Sequence, residues 1–174
     1  MERKLVLYIA MSLDGYIAAE NDDLSFLSAV EQEGEDYGYA EFINSIDTII
    51  LGRKTYDKVI SMGHPYPMHG EKVYVITRSE KPSVGSVEFY SGDLAKLVDL
   101  LKEQPGKNIF CDGGAEIVNL FLKAGLFDEI TISIIPVLLG GGVRLFQDGG
   151  VEQKLKLVSS KSFPKGLVQL HYTN

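Results

Sequence analysis

Five short apolar runs recur along the chain and limit what it can fold into. Apolar runs of four to eight residues rich in Ile, Val and Leu are typical of strands that are buried on both faces. Segments with helical spacing separate several of these runs, so the sequence predicts strand–helix–strand units and a largely parallel sheet. The five predicted strands are Lys4–Ala10, Thr48–Leu51, Lys72–Thr77, Asn108–Cys111 and Glu129–Pro136.

The segments between these strands supply the predicted helices. The clearest is Asp93–Glu103, where apolar residues recur at intervals of three and four. After residue 136 the pattern changes, because two strand-like runs, Leu155–Phe163 and Leu167–Tyr172, follow without a helix between them and predict an antiparallel hairpin. Further predicted elements are helices at Tyr37–Ser45, Thr55–Met62 and Glu116–Lys123, and a short strand at Val87–Tyr90.

Together these elements predict an α/β fold of one domain spanning residues 1–174. No linker rich in Pro, Gly or Ser divides the chain, and 45% of its 174 residues are hydrophobic. We expect three layers, with a mixed, mostly parallel sheet that carries helices on both faces and ends in the C-terminal antiparallel hairpin. Sheets of this kind bind ligands beyond the carboxyl ends of their strands.

Charge and cysteine content narrow the functional classes. The chain has 17 Lys and Arg against 24 Asp and Glu, a formal charge of −7, which argues against binding nucleic acid or anionic membranes through net charge. The single cysteine, Cys111, lies in an apolar run, and no CxxC or His/Cys spacing indicates a metal site. Since no apolar run approaches the length of a membrane span, we expect a cytoplasmic protein without membrane or nucleic-acid partners.

One strand-to-helix junction combines a glycine with basic residues. The predicted strand Thr48–Leu51 is followed by Gly52, Arg53, Lys54 and Thr55, at or near the start of a helix. Helix N-termini present free N–H groups and a partial positive charge, and Arg and Lys add further anion-binding groups. This pattern indicates either a phosphate site or a glycine turn followed by solvated basic residues.

Two further strand ends carry candidate ligand contacts. Gly113-Gly114 closes the strand that ends near Cys111, and a helix follows directly. Thr77-Arg78-Ser79 closes the strand that begins at Lys72, where a planar guanidinium beside two hydroxyls suits a phosphate monoester. Each motif alone is also explained by a structural turn. If the strands are parallel, however, all three junctions meet at one edge of the sheet and suit a ligand with several phosphates.

The first strand is interrupted by an acid and a glycine. Apolar residues at 5–11 and 16–19 flank Ser12-Leu13-Asp14-Gly15. Asp-Gly is a common turn pair, so a purely structural turn is one interpretation. The other is a loop over a bound ligand that brings Asp14 into an active site.

These stretches together resemble a known family. The sequence contains, in this order, LYIAMSLDGYIAA, IILGRKTYD, YVITRS and CDGGAEIVNLFLKAGLFDEITISIIPVLLGGGVRLF. They resemble the reductase domain of the bacterial bifunctional riboflavin-biosynthesis deaminase-reductase, the RibD C-terminal family, and its stand-alone relatives with a dihydrofolate reductase-like fold. The resemblance covers nearly the whole chain and implies that fold.

The resemblance also implies NADPH as the cofactor. It implies a cis peptide bond between Gly113 and Gly114, and it implies a homodimer. Val168 and Leu170 of the C-terminal strands are apolar residues that suit either the dimer interface or the core. Its implied contacts are Gly52, Arg53, Lys54 and Thr55 with phosphate groups, Thr77, Arg78 and Ser79 near the adenosine 2′-phosphate, Gly113, Gly114, Ala115 and Glu116 against the pyrophosphate, and Ala10, Gly15, Tyr16 and Ile17 beside the nicotinamide.

By the same resemblance, Asp14 is the candidate catalytic residue. It would bind a substrate hydroxyl or amine, or assist the proton transfer that accompanies hydride transfer. Asp36 and Glu41 compete for the role, because they lie on or before the helix that carries the substrate-binding carboxylate in dihydrofolate reductases.

The implied activity is an NADPH-dependent reductase of a small pterin-, pyrimidine- or ribosylamine-like substrate, 5-amino-6-(5-phosphoribosylamino)uracil among them. One cysteine cannot supply the zinc motif of the deaminase half, so the bifunctional enzyme is excluded. The alternatives are a dihydrofolate reductase, favoured by IILGRKTYD, and a nucleotide-binding module without turnover.

Overall fold

The computed structural model describes residues 2–174 and contains ten strands and four α-helices. The strands are β1 (Leu5–Ser12), β2 (Tyr16–Ala18), β3 (Ile46–Gly52), β4 (Lys72–Ile76), β5 (Val87–Tyr90), β6 (Asn108–Gly113), β7 (Glu129–Ile135), β8 (Val143–Arg144), β9 (Lys156–Ser162) and β10 (Val168–Thr173). The helices are α1 (Tyr39–Asn44), α2 (Arg53–Ser61), α3 (Leu94–Glu103) and α4 (Ala115–Lys123), with short 3₁₀ turns at Glu20–Asp22, Ser25–Val30 and Pro164–Gly166.

Eight of the strands form one mixed sheet. Its order is β5-β4-β3-β6-β1-β7-β10-β9, and every pair from β5 to β7 is parallel. The last two strands run antiparallel, β10 against β7 and β9 against β10. The mostly parallel sheet and the C-terminal antiparallel hairpin expected from the sequence are therefore confirmed.

Helices cover both faces of the sheet, which gives the three expected layers. On one face α3 and α4 bury Val98 and Phe121 against Leu7 and Ile50 of the central strands. On the other face α1, α2 and the 3₁₀ turn at Ser25–Val30 pack over two smaller apolar clusters. Because β1 lies between β6 and β7 near the middle of the sheet, the loop that follows it emerges at the centre of the carboxyl edge.

The opposite edge of the sheet is fastened by a buried arginine. The Arg3 guanidinium donates to the carbonyl oxygens of Leu101 at 3.0 Å and Lys107 at 2.6 Å. It also donates to the Thr48 hydroxyl at 2.7 Å and to the Asp47 carboxylate. One side chain thus joins the chain's N-terminal segment to β3, α3 and the loop before β6.

Three elements differ from the sequence-based expectations. Helix α2 begins at Arg53, two residues earlier than predicted, so the basic residues lie in its first turn. Helix α1 is shorter than predicted because Tyr37 and Gly38 take positive φ angles of 58° and 84°, which a helix does not accommodate. Strand β8, which is not among the predicted strands, pairs with β2.

The C-terminal hairpin leaves one strand at the edge of the sheet. Val168 and Leu170 of β10 are partly buried, whereas Leu157 and Val158 of the edge strand β9 are 53% and 54% exposed. The homodimer stays a prediction. Within residues 2–174 no helix has the length and apolar character to cross a membrane.

Candidate functional site

Two of the predicted junctions are in contact at the carboxyl edge. A Cβ atom added to Gly52, at the end of β3, would lie 3.1 Å from Cγ1 of Ile117 and 3.7 Å from the backbone N of Gly114. A Cβ atom added to Gly114 would lie 2.9 Å from Oγ1 of Thr55. The backbone turns of the two neighbouring strands therefore pack directly on each other. The Gly113–Gly114 peptide bond is cis, as the resemblance implied.

The helices that start at these glycines have no side-chain caps. Neither Gly52, before α2, nor Gly114, before α4, supplies a capping oxygen, and no other side chain caps the first turn. By contrast, α3 is capped by Asp93, whose carboxylate accepts the Lys96 N–H at 3.0 Å. Because the first four N–H groups of a helix lack intrahelical partners, α2 and α4 present free donors and positive dipole ends at this edge.

The basic residues of the first junction are partly engaged. Nε of Arg53 donates to both carboxylate oxygens of Asp57, at 2.7 and 2.8 Å, and its guanidinium carbon lies 5.4 Å from the ring centre of Phe89. Lys54 is exposed and forms no ion pair within the described chain. A bound phosphate would compete with Asp57 for Arg53 and meet Lys54 directly.

The third junction joins the second through an exposed ion pair. Arg78, which is 91% exposed, donates to Glu116 in the first turn of α4 at 3.0 Å. Thr77 N–H donates to the Tyr90 carbonyl at 2.9 Å, and Ser79 is exposed. Exposed pairs of this kind contribute little to stability, so Arg78 is available to an anion.

The loop after β1 binds the loop after β7 through Asp14. Its carboxylate accepts the hydroxyl of Ser12 at 2.6 Å and the backbone N–H groups of Leu139 and Gly140 at 3.0 and 2.7 Å. The Ser12 hydroxyl, followed by these amides, lowers the pKa of Asp14 to about 2. Asp14 is therefore ionised at neutral pH and already occupied by three donors.

The rest of this loop is paired with β8. Gly15, at a φ of 90°, accepts the Leu145 N–H at 2.9 Å, and Tyr16 N–H donates to the Ser12 hydroxyl. The Arg144 guanidinium carbon lies 5.5 Å from the ring centre of Tyr16, and Ile17 packs against the main core. These residues join two loops into one structure beside the carboxyl edge.

A cavity of about 480 Å³ opens on the face of the sheet covered by α1. Ala10 of β1 lies on its floor, with tyrosine rings and apolar side chains around it. The predicted nicotinamide-side residue Ala10 thus borders this cavity. Its lining is Tyr8, Ala10, Leu27, Val30, Glu31, Gln32, Glu33, Glu35, Asp36, Tyr37, Tyr39, Ser133, Ile135 and Leu167.

Asp36 and Glu41, the alternatives to Asp14 as the catalytic carboxylate, lie in different surroundings. Asp36 lies on the cavity rim, where it accepts the N–H groups of Ala40 at 3.0 Å and Gly38 at 2.9 Å, and these bonds lower its pKa. Glu41 is exposed on α1 and does not line the cavity. Asp36 therefore serves as the N-terminal cap of α1.

A partly buried acid that the sequence-based reasoning missed lies next to Gly113. Asp112 accepts the hydroxyl of Tyr66, and burial raises the pKa of Asp112 to about 6 despite that hydrogen bond. Its negative charge contributes to the raised pKa of Tyr39, which lines the cavity. The sequence carries one signal for Asp112. Side chains alternate along a strand, so Asp112 shares the face of Phe110, and it lies near the carboxyl end of β6.

The RibD C-terminal domain family matches residues 3–169. The chain belongs to this family. Two Bacillus subtilis (strain 168) proteins, named Uncharacterized protein YwjB and Uncharacterized protein YyaP, are similar to it over nearly their whole length. The match to the first is 43% identical and covers 99% of this chain and 98% of that protein. The match to the second is 33% identical and covers 98% of this chain and 95% of that protein.

Solved structures extend the comparison of this RibD C-terminal domain. A putative riboflavin biosynthesis protein from Shewanella sp. PV-4 is 30% identical, has a TM-score of 0.88 and covers 98% of both chains. A diaminohydroxyphosphoribosylaminopyrimidine deaminase/5-amino-6-(5-phosphoribosylamino)uracil reductase from Thermotoga maritima is 17% identical, has a TM-score of 0.73, and covers 99% of this chain and 56% of its own. The latter shows the shared fold alone. The expected family and fold are thus confirmed.

Proposed function

We propose that this chain is an NADPH-dependent reductase of a small pterin-, pyrimidine- or ribosylamine-like molecule. The observation that carries the proposal is the contact between Gly52 and Gly114, which brings two uncapped helix N-termini side by side at the carboxyl edge. Two adjacent anion sites suit the two phosphates of a dinucleotide. Membership in the RibD C-terminal domain family and the similar riboflavin biosynthesis protein support reductase chemistry.

The residues at this edge fit the phosphate groups of the cofactor. The lack of side chains at Gly52 and Gly114 lets the starts of α2 and α4 pack against each other, so a pyrophosphate would meet the amides of both helices, with Thr55 and Lys54 beside it. Arg78, with Thr77 and Ser79 next to it, would bind the adenosine 2′-phosphate that distinguishes NADPH from NADH. When bound, the cofactor supplies the hydride.

Asp112 is the group in this site best suited to hold a proton. Reduction of a carbonyl or imine requires a proton as well as a hydride. With its pKa raised to about 6, Asp112 keeps a proton closer to neutral pH than an ordinary carboxyl does. Burial also raises the pKa of Tyr66, so this phenol stays protonated and orients the Asp112 carboxyl through its hydrogen bond.

Asp14 acts as a positioning residue in this scheme. Its carboxylate is ionised and bonded to Ser12, Leu139 and Gly140, which favours holding the loops over proton donation. The cavity beside Ala10 would receive the substrate ring.

Calorimetric titration with NADPH and NADH tests the proposal. We expect the wild-type chain to prefer NADPH, and Arg78→Ala to weaken NADPH binding about tenfold or more while leaving NADH binding unchanged. Lys123→Ala, which removes an exposed positive charge at the other end of α4, is the matched control.

If neither nucleotide binds, the reductase proposal is wrong. If NADPH binds but no pterin, pyrimidine or ribosylamine compound causes its oxidation, the chain is a nucleotide-binding module. Oxidation of NADPH with dihydrofolate alone would instead identify a dihydrofolate reductase.

A further inference from the structure

The floor of the cavity is made of two small residues on neighbouring strands. Ala10 of β1 and Ser133 of β7 are direct partners in the parallel ladder. Larger residues flank them on the same face, Tyr8 on one side and Ile135 on the other. The hollow between these side chains is flat-bottomed because its two central members are small.

The walls of the cavity are aromatic and apolar. Rings of Tyr8 and Tyr39 meet edge to face with centroids 6.2 Å apart, and Tyr37 lies beside them on the rim. Leu27 and Leu167 add apolar surface. A volume of about 480 Å³ with aromatic walls suits one planar ring system.

The polar groups at the floor are uncharged. Nε2 of Gln169 donates to the hydroxyls of Ser133 at 3.1 Å and Tyr8 at 3.0 Å, and it lies 3.2 Å from the Tyr37 carbonyl oxygen. Within residues 2–174 no acceptor takes the proton of the buried Ser133 hydroxyl, so it is free to donate to a ring nitrogen or carbonyl.

The rim of the cavity is acidic. Glu31, Glu33, Glu35 and Asp36 line it, and none of the fourteen lining residues is Lys, Arg or His. Lys165 reaches the rim, where its ammonium donates to the Glu31 carbonyl oxygen. Four carboxylates against one ammonium leave a negative field at the mouth, which repels anions and attracts cations.

We propose that this cavity binds a planar heteroaromatic molecule that is neutral or cationic and carries no phosphate. The inference rests on the proposed function, because it concerns the substrate of the same reductase. It separates this chain from a reductase of 5-amino-6-(5-phosphoribosylamino)uracil, the activity in the name of the Thermotoga maritima neighbour. A phosphate at the mouth of this cavity would meet carboxylates instead of a cation.

Binding of matched pairs tests the proposal. We would titrate the full chain with uridine and uridine 5′-monophosphate, with riboflavin and riboflavin 5′-phosphate, and with 2,4-diaminopyrimidine as a cationic ring. We expect each phosphorylated member to bind about tenfold more weakly than its partner at low salt, and the difference to shrink in about 0.5 M salt. Binding of the protonated diaminopyrimidine should weaken at the same salt concentration.

Neutral rim variants provide the decisive comparison. In the double variant Glu31→Gln/Glu33→Gln, the affinities of the phosphorylated and unphosphorylated members of each pair should differ by no more than about threefold. The double variant Glu103→Gln/Glu152→Gln changes the net charge equally but away from the cavity, so it should leave the wild-type difference in affinity unchanged. Equal or tighter binding of a phosphorylated member overturns the proposal, and so does the absence of binding by every ring tested.

A parallel NADPH titration separates this result from the proposed function. If unphosphorylated rings bind selectively but NADPH does not bind, the proposed reductase function is wrong and the proposed selectivity of the cavity is supported. NADPH binding with a preference for phosphorylated rings would overturn the ring selectivity alone.

Discussion

The Asp14 carboxylate accepts the backbone N–H of Gly140 at 2.7 Å, although the two residues are 126 positions apart. The neighbouring Leu139 N–H binds the same carboxylate. The acid that interrupts the first apolar run therefore connects the loop after β1 to the loop after β7, on the border of the carboxyl edge.

Asp14→Asn should lower turnover about tenfold while NADPH affinity stays within about twofold. The amide replacing the carboxylate cannot accept two backbone N–H groups equally well, so the loop at 138–140 loosens. The pH profile should keep its shape, because a group with a pKa of about 2 does not titrate in the working range. Steady-state kinetics and hydrogen exchange at Leu139 and Gly140 check this. Asp23→Asn, in another loop, is the control; unchanged turnover and exchange would refute the positioning role.

A proton held by Asp112 would give the reductase a falling pH–rate profile. Since the protonated form donates, kcat/KM should be highest below pH 6 and decrease about tenfold per pH unit above it. Tyr66→Phe removes the hydrogen bond that lowers the pKa of Asp112, so the decrease should begin at higher pH. Asp112→Asn should abolish the dependence along with most activity. A rate independent of pH from 5 to 8 would exclude Asp112 as the donor.

The same acid should reduce stability at neutral pH. In the folded chain Asp112 keeps its proton to about pH 6, whereas unfolding restores the ordinary pKa of 3.8. Because the folded state binds more protons in this window, the free energy of unfolding should fall as pH rises through it. Asp112→Asn, which keeps an oxygen for the Tyr66 hydroxyl, should therefore raise stability by about 1–2 kcal/mol at pH 8 and by nothing below pH 4. Urea denaturation at both pH values measures the difference; equal effects at both would contradict it.

Gly114→Ala should disturb both the fold and the nucleotide site. The added methyl would lie 2.9 Å from Oγ1 of Thr55, an overlap that costs about 1–3 kcal/mol of stability. NADPH affinity should fall with it. Thr55→Ala in the same chain removes the obstacle and should restore most of the melting temperature, whereas Thr55→Ala alone should change it little. If the double variant melts no higher than Gly114→Ala, a contact other than Thr55 requires glycine at position 114.

Replacing the buried Arg3 tests the far end of the sheet. Arg3→Leu should lower the free energy of unfolding by about 3–5 kcal/mol, because it removes the cation paired with Asp47 and one donor each from Thr48 and two carbonyl oxygens. Lys4→Leu, which removes an exposed partner of Glu129, should cost less than about 1 kcal/mol. Denaturant titration measures both, and similar losses would show that the buried network contributes little.

The mostly parallel sheet and the glycine junctions were predictable because their signals are local. Apolar runs such as Thr48–Leu51 identify buried strands, and helices between them require parallel pairing. Parallel pairing then brings Gly52 and Gly114 to one edge. The ends of α1 and α2 and the short β2–β8 ladder were not predicted. For α1 the reason is that a positive φ at Tyr37 has no sequence signal comparable to a glycine.

The chemistry of individual acids was harder to predict because it depends on distant partners. Asp112 acquires its properties from burial and from Tyr66, 46 positions away, which sequence spacing does not reveal. Asp14 matched a catalytic pattern, yet its partners at 139 and 140 belong to a loop whose conformation follows from the pairing of β2 with β8.

The small β2–β8 ladder gives the two sides of the carboxyl edge different supports. It joins the loops after β1 and β7 to each other through backbone pairing. The segment at 31–39 carries no such fastening strand and turns through positive φ at Gly34, Tyr37 and Gly38. Glu31, Glu33, Glu35 and Asp36 of this segment line the cavity, so the wall of the cavity that lacks a strand also carries its negative charge.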